Sequence, residues 1–476
     1  MDENYNEFQR PVNPRRRPKT KMQIFKEAYL PFIIFTVAVI LILVFIIGAI
    51  VRAVQSDDVE EQVQEETLSQ EQLEYQQLLE EEARLMEEAQ ALADIFDYEG
   101  AIQVLHRFSG ELSDFPLIGG AMEEYIDAKN QLVAWDDPSE VVNLSFQLLI
   151  SDAYRSFHNS EYGNLFNRSF ITTGEFTQIL QQLYDNGYIL VSSSDLFDFT
   201  TDEYGDSIYT AKTLYLPEGK KPLMLTQTNV NYNYYLIDSD GDKIPDINGG
   251  GFGTKLVLED DQLLCEILDE YGRHETGAYD LIPILEEFIS NNPDFSYKNA
   301  RATIALTGYN GLFGYRTEPS AMERIGEDAY YEEIYAAEAV ANWLRDHGYQ
   351  LAFYTYDNIA YGECSTAIME ADLQRWQDEV VPIIGQLNTI VFAQNSDITI
   401  ETSYSGEKYE LLKEHGFQYF VGFCDNGVSW ANVAAEYVRQ GRILVSGTSL
   451  AYHEEWFYDM FEASTILDPE RGEVPQ

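Results

Sequence analysis

Six short stretches of this 476-residue chain place polar side chains directly after apolar runs, where chemistry could be done. They are Gln227–Thr228–Asn229; Thr307 with Tyr309 and Asn310; Tyr354–Thr355–Tyr356; Gln394–Asn395; Asp425–Asn426; and Thr448. Amides, hydroxyls and phenols dominate. General acid–base or nucleophilic catalysis would need paired carboxylates, or a Cys/His or Ser/His system, and these stretches assemble neither. A neutral surface of this kind suits sugar hydroxyls and acetamido groups, with tyrosine rings offering apolar faces to a pyranose. The acids gather elsewhere. In "DSDGDKIPD", Asp238, Asp240, Asp242 and Asp246 occupy positions one, three, five and nine of a calcium-type loop. Alternating carboxylates on a tight turn converge on one hard cation. Position six is Lys243 instead of glycine, and position twelve is Gly249 instead of a bidentate glutamate. Two readings stay open: a merely solvated acidic turn, or a structural calcium held weakly, with a dissociation constant on the order of 0.1–1 mM.

The elements that would position these residues follow a rhythm. "LYDNGYILV", "LRDHGYQLAFY" and "LKEHGFQYFVGF" each end an amphipathic helix at Asn or His, then continue with Gly, an aromatic and a strand. Glycine there supplies the left-handed helix cap, and helix-to-strand after so short a loop is half of a parallel βαβ unit. His347 and His415 stand at two of these helix ends, where an imidazole suits the negative end of the dipole, so capping is their expected role. Seven apolar runs have strand length: Tyr188–Ser192, Pro222–Thr226, Ala302–Leu306, Gln350–Phe353, Thr389–Phe392, Gln418–Gly422 and Ile443–Val445. With helices between them they imply an α/β protein built as a parallel barrel or an open parallel sheet. In either, ligands sit at the carboxyl ends of the strands, where the six polar stretches fall.

Before this body the composition changes twice. Residues 1–28 form a basic tail, and Tyr29 to Val51 carry no charge over a length that spans a bilayer as a helix. Basic residues precede this segment and acidic ones follow it, which leaves the tail in the cytoplasm and the rest outside the cell membrane. Residues 52–93 read as an acidic helical stalk, its narrow apolar stripe of Leu68, Tyr75, Leu78, Leu85, Ala89 and Leu92 suited to self-association. Residues 94–140 read as a helical adaptor. Formal net charge is −51, from 81 acidic and 30 basic residues, which repels phosphate backbones and argues against a nucleic-acid partner. Three cysteines, Cys265, Cys364 and Cys424, form no CxxC pair, so neither a disulfide framework nor zinc is expected.

Five segments of residues 141–476 carry a resemblance: "FITTGEFTQILQQLYDNGYILVSSSDL", "LPEGKKPLMLTQTNVNYNYY", "GFGTKLVLEDD", "LTGYNGLFGYRT" and "VVPIIGQLNTIVFAQNSDI". In order and spacing they resemble membrane-anchored polysaccharide deacetylases of Gram-positive bacteria, the NodB-homology group of carbohydrate esterases. The resemblance implies a distorted (β/α)7 barrel, a divalent metal held by one aspartate and two histidines, and a second aspartate as base. Such a metal polarises the acetyl carbonyl and activates water near neutral pH. This chain departs from the pattern where it matters. Thr228 and Asn229 stand for the consecutive aspartates, Tyr354 and Asn358 for the two histidines, and "AQNSD" (Ala393 to Asp397) for the loop expected after a later strand. The expectation is a barrel without its metal triad or base that serves as a scaffold or binds a cell-wall glycan or peptidoglycan, through Asn229, Tyr232, Tyr309, Asn310, Arg316, Tyr354 and Asn395. Arg316 could meet an anionic group or pin its own loop through an internal salt bridge. The alternative is an active esterase with other ligands, drawn from Asp357, Asp397, Asp425 and His453.

Overall fold

The computed structural model describes residues 70–201 and 207–475. The basic tail, the apolar segment 29–51 and the first part of the stalk lie outside the described residues. Among the described residues, no helix is long and apolar enough to cross a membrane. Two compact units divide after residue 74. Of the first, the described part is the opening of helix α1 (Gln70–Asp94); everything below concerns the second.

The later turns of α1 do not stand alone as a stalk. Leu85, Ala89 and Ala93 are buried against α2 (Tyr98–Leu105) and α3 (Pro116–Asn130), together with Ala101, Leu105, Ile118 and Tyr125. The expected boundary at residue 93 therefore falls inside one packed three-helix unit. The alanines explain why: they let neighbouring helices approach closely, and most helical stability in proteins comes from such tertiary packing.

Seven strands, all parallel, close a barrel: β1 (Val142–Phe146), β3 (Lys221–Thr228), β4 (Thr303–Leu306), β5 (Gln350–Phe353), β6 (Thr389–Val391), β7 (Tyr419–Phe423) and β8 (Val438–Leu444), with β8 returning to β1 through Ile443 opposite Leu144. Strand β2 (Tyr188–Leu190) is not in the ring. It pairs with the start of β3, Lys221–Leu223, on the side where β4 takes over from Thr226 onward, and Leu190 makes one further bridge, to Ser296. The count of seven agrees with the expectation, but the membership does not, because β1 replaces β2. "VNLSF" lacks a continuous apolar run because Asn143 and Ser145 interrupt it; in the barrel these two are buried and alternate with Leu144 and Phe146 of the outer core.

That alternation runs round the ring. Leu223, Leu225, Ile304, Leu306, Leu351, Phe353, Ile390 and Phe420 pack outward in the large core. The small residues Ala305, Ala352, Val391, Val421 and Val438 share a separate inner cluster with Met224 and Tyr419, as a barrel too narrow for larger side chains requires. Helices α4 (Thr173–Asp185), α5 (Leu281–Asn291), α6 (Glu327–Asp346), α7 (Thr366–Glu379) and α8 (Glu407–Glu414) alternate with the strands. The caps are as read from sequence. Gly187, Gly348 and Gly416 adopt φ of 82°, 89° and 85°. His347 Nδ1 bonds Trp343 O and His415 Nδ1 bonds Leu411 O, each at 2.8 Å, tying the imidazole to the last helical turn.

One buried ion pair ties the end of the chain to the first barrel helix. Glu175, in the capping box of α4, receives Arg471 Nε on Oε1 and Nη2 on Oε2, both at 2.6 Å, and also accepts from the backbone N–H of Thr172 and Asp468. Arg471 directs its remaining donors to the Asn167 and Phe170 carbonyls and to Asn167 Oδ1. Removing one member of such a pair strands the other as an unpaired buried charge. Arg471→Met should therefore lower unfolding free energy by about 3–5 kcal/mol, read from the urea midpoint. Glu175→Leu combined with Arg471→Met should cost less than Arg471→Met alone.

Candidate functional site at the barrel mouth

The carboxyl ends of the strands converge on a mouth that is polar and tightly filled. Thr228, Asn229 and Tyr354 are 2%, 8% and 9% exposed, and Thr307 is fully buried. Thr228 Oγ1 donates to Phe146 O at 3.2 Å, linking β3 to β1. Thr307 Oγ1 donates to Asn229 Oδ1 at 3.0 Å, linking β4 to β3. Asn233 Nδ2 donates to Asn231 Oδ1 and to the Tyr309 hydroxyl, each at 3.3 Å. Burial pushes the Tyr309 phenol up in pKa, against the pull of the Asn229 and Asn231 amides, so it stays a neutral hydrogen-bonding group. Asn310 Oδ1 lies 3.5 Å from Tyr234 N.

Backbone strain collects here. Asn229, Asn310, Thr355, Asn358, Gln394 and Asn395 all take φ between 54° and 61° in the loops that follow β3 to β6. Asparagine tolerates this region, whereas β-branched Thr355 is an outlier that its neighbours must hold; its Oγ1 accepts from Ile359 N at 2.7 Å. Left-handed residues are thus concentrated in the loops of one barrel face.

Arg442, on β8, is a mouth residue that sequence reasoning missed, because "GRILV" reads as a buried apolar strand. It is almost wholly buried at the mouth with no carboxylate partner among the described residues. Its donors go to the Val421, Gly422 and Phe392 carbonyls and to Asn395 Oδ1 at 3.1 Å. Burial lowers the guanidinium pKa, while Tyr354 opposes that shift. A fixed positive group, not a cluster of acids, thus stands beside Tyr354.

Two residues expected in the mouth are elsewhere. Tyr232 is fully buried, its hydroxyl donating to Asp280 Oδ2 at 2.5 Å, and Gln227 Nε2 donates to Asp280 Oδ1 at 2.8 Å. Asp280 caps α5 and takes two further N–H donors, Leu149 and Leu281. Arg316 forms no salt bridge through its guanidinium among the described residues. It pins its loop through the carbonyls of Asn231, Tyr232 and Asn310, with the Tyr234 ring at 4.2 Å. The guanidinium holds backbone instead of a carboxylate because carbonyls from two neighbouring loops meet there.

The acids named for the alternative reading are scattered. Asp357 pairs with Arg375 at 2.7 Å, Asp397 pairs with Arg439 at 2.9 Å and accepts from the Tyr404 hydroxyl, and Asp425 is exposed. His453 stacks on Trp456. Among the described residues, the one group of three metal-ligating side chains within reach of one another is Asp238, Asp240 and Asp246, mutually within 4.8 Å. Asp242 stays outside it, and its Oδ1 accepts from Ile244 N. Lys243 adopts φ of 65°, the left-handed turn for which glycine is usual at that position. Burial raises the Asp246 carboxyl pKa, but hydrogen bonds from Ser239, Asn248 and Gly249 outweigh this and hold it below the usual range, favouring the ionised form a cation needs.

No family model matches this chain, and no curated protein matches it. Two solved chains do. One is deacetylase PplD of Streptococcus pyogenes in complex with acetate, at a TM-score of 0.35 and 10% identity over 69% of this chain and 100% of that one. A likeness of that size says nothing of what this chain does.

Asp280 yields a pH prediction. Burial raises its folded-state pKa above the unfolded value, against the opposing hydrogen bonds from Tyr232, Leu149, Leu281 and Gln227. Its contribution to stability is therefore present below the unfolded carboxylate pKa and lost as pH rises through the folded value. The difference in unfolding free energy between the wild type and Asp280→Asn should shrink as pH rises from about 4 to 7. Paired urea titrations would measure it.

Proposed function

We propose that this chain is a membrane-anchored, extracytoplasmic relative of the polysaccharide deacetylases that has lost the metal triad and base, and that it binds cell-wall glycan without hydrolysing it. The observation that carries this reading is the mouth itself. At the carboxyl ends of a closed parallel barrel, the positions matching metal ligands and base hold Thr228, Asn229, Tyr354 and Asn358, with Thr228 and Asn229 bonded to protein partners and Arg442 adding positive charge nearby. A guanidinium in that place opposes a divalent cation, and neutral amides are poor ligands for zinc. What the mouth does offer is amides, hydroxyls and phenol rings, the groups that recognise acetamido and hydroxyl substituents.

Anchoring rests on the apolar segment 29–51 and on the basic residues before it. Calcium, held by Asp238, Asp240 and Asp246, would stiffen the loop that leaves the helical turn Tyr234–Ile237 beside the mouth.

The test is acetate release. Incubated with N-acetylated glycan oligomers and zinc, cobalt or manganese, the full-length protein should release none. Chelator-sensitive release would overturn the reading in favour of an esterase with other ligands. The substitutions Thr228→Asp, Asn229→Asp, Tyr354→His and Asn358→His, made together, should raise zinc affinity above that of the wild type, read by metal content. For calcium, a tenfold excess over the dissociation constant should raise unfolding free energy by ~1.4 kcal/mol. Asp238→Asn with Asp246→Asn should abolish that rise in a thermal-shift series.

A further inference from the structure

Beside the barrel mouth lies a cavity of about 280 Å³, just below the ~300–1,000 Å³ of sites for drug-sized ligands and so of a size for one sugar ring. Its floor is the end of β8 and the turn after it, with Phe423 of β7 and Gln147, which follows β1, on two sides. It is thus a part of the carboxyl face that the six polar stretches touch only through Thr448.

Three features give it a chemistry. Arg168, which lines it, is exposed and makes no hydrogen bond or ion pair with any described residue, in a chain whose net charge is −51. Most other arginines of the body are engaged by carboxylates or carbonyls, so a free fork facing a cavity has five donors to give. Next, His453 and Trp456 form an aromatic wall, rings stacked at 4.3 Å and 14°, with Trp456 seated where Gly427 has no side chain: a Cβ there would come within 2.4 Å of the indole. Last, Gln147 donates its amide N–H to Ser169 O, leaving its Oε1 as an acceptor for a sugar hydroxyl, and the Thr448 hydroxyl is without a partner among the described residues. Glu455 approaches His453 Nδ1 at 3.4 Å, and its side chain is largely exposed.

We infer that this cavity binds a single acidic sugar residue, its carboxylate on the Arg168 guanidinium and its ring against the His453–Trp456 wall. A fork of parallel N–H groups matches a carboxylate in two-point contact, and an aromatic wall suits the C–H face of a pyranose. This rests on the glycan-binding reading and deepens it by naming the class of sugar. The Glu175–Arg471 pair positions the Arg168 side of the cavity, since Arg471 bonds the carbonyls of Asn167 and Phe170, which flank Arg168 and Ser169 in the chain.

The test uses the full-length protein and three probes: glucuronic acid, muramic acid and neutral N-acetylglucosamine oligomers, by ligand-observed saturation-transfer NMR and calorimetry. The expected result is binding of at least one acidic sugar that weakens with added salt. Arg168→Gln should weaken it by about 10- to 100-fold, the worth of a charge-assisted hydrogen bond, and Arg168→Lys by less. Neutral oligomers should bind wild type and Arg168→Gln alike. Acidic-sugar binding indifferent to both Arg168→Gln and salt would overturn the inference and leave the glycan reading standing. Absence of binding by all three probes would overturn both. Unchanged thermal unfolding of Arg168→Gln keeps either outcome interpretable, because the side chain it removes supports no other described group.

Discussion

The bidentate contact between Glu175 and Arg471 is the constraint on which one side of the carboxyl face depends. It joins residues 296 positions apart with both charges buried. Around it are arranged the capping box that starts α4, the carbonyls of Asn167 and Phe170, and the turn at Gly447, where a Cβ would lie 1.9 Å from Asn167 O. A pair this buried contributes little net stability against an apolar equivalent, because desolvation offsets most of the attraction. Its contribution is geometric. The fixed directions of the guanidinium donors and the carboxylate oxygens hold the segment before α4, the helix itself and the C-terminal turn in one arrangement. The first of these segments walls the cavity beside the mouth.

The mouth treats charge in the opposite way. Here the polar groups are neutral, and the full charge on Arg442 is cationic and compensated by carbonyl dipoles and an amide. Hydrogen bonds run from strand to strand, Thr228 to Phe146 and Thr307 to Asn229, so the residues that face the mouth also hold the ring together there. Left-handed residues in the loops after β3 to β6 turn the chain sharply there. Such a surface presents shape and hydrogen-bonding groups, with one buried cation in place of a cluster of acids.

Much of the architecture was legible from local signals. The helix–Gly–aromatic–strand rhythm marked Gly187, Gly348 and Gly416 because each cap is set by a few consecutive residues, and the same holds for His347 and His415. Strand β1 was not legible, because its alternate residues Asn143 and Ser145 are polar yet buried. Nor was the detachment of β2, since whether Tyr188–Leu190 joins the ring depends on which strand takes the edge of β3 from Thr226 onward. In the acidic loop Asp242 has the spacing of its neighbours, yet it lies outside the cluster of Asp238, Asp240 and Asp246, and its carboxylate accepts from Ile244 N.

The class of groups at each strand end was fixed before any folding, because residue type is a property of one position. Amides, hydroxyls and a phenol at Thr228, Asn229, Tyr354 and Asn358 exclude an aspartate–histidine ligand set at those positions however the chain folds. Which groups face one another was settled by packing. Tyr232 and Gln227 turned to Asp280, Arg316 to three carbonyls and Arg442 to the mouth, while Arg168 was left free beside His453 and Trp456. Contacts between residues far apart in the chain depend on barrel closure and on strand register, and a shift of one residue in a strand reverses every side chain between core and axis.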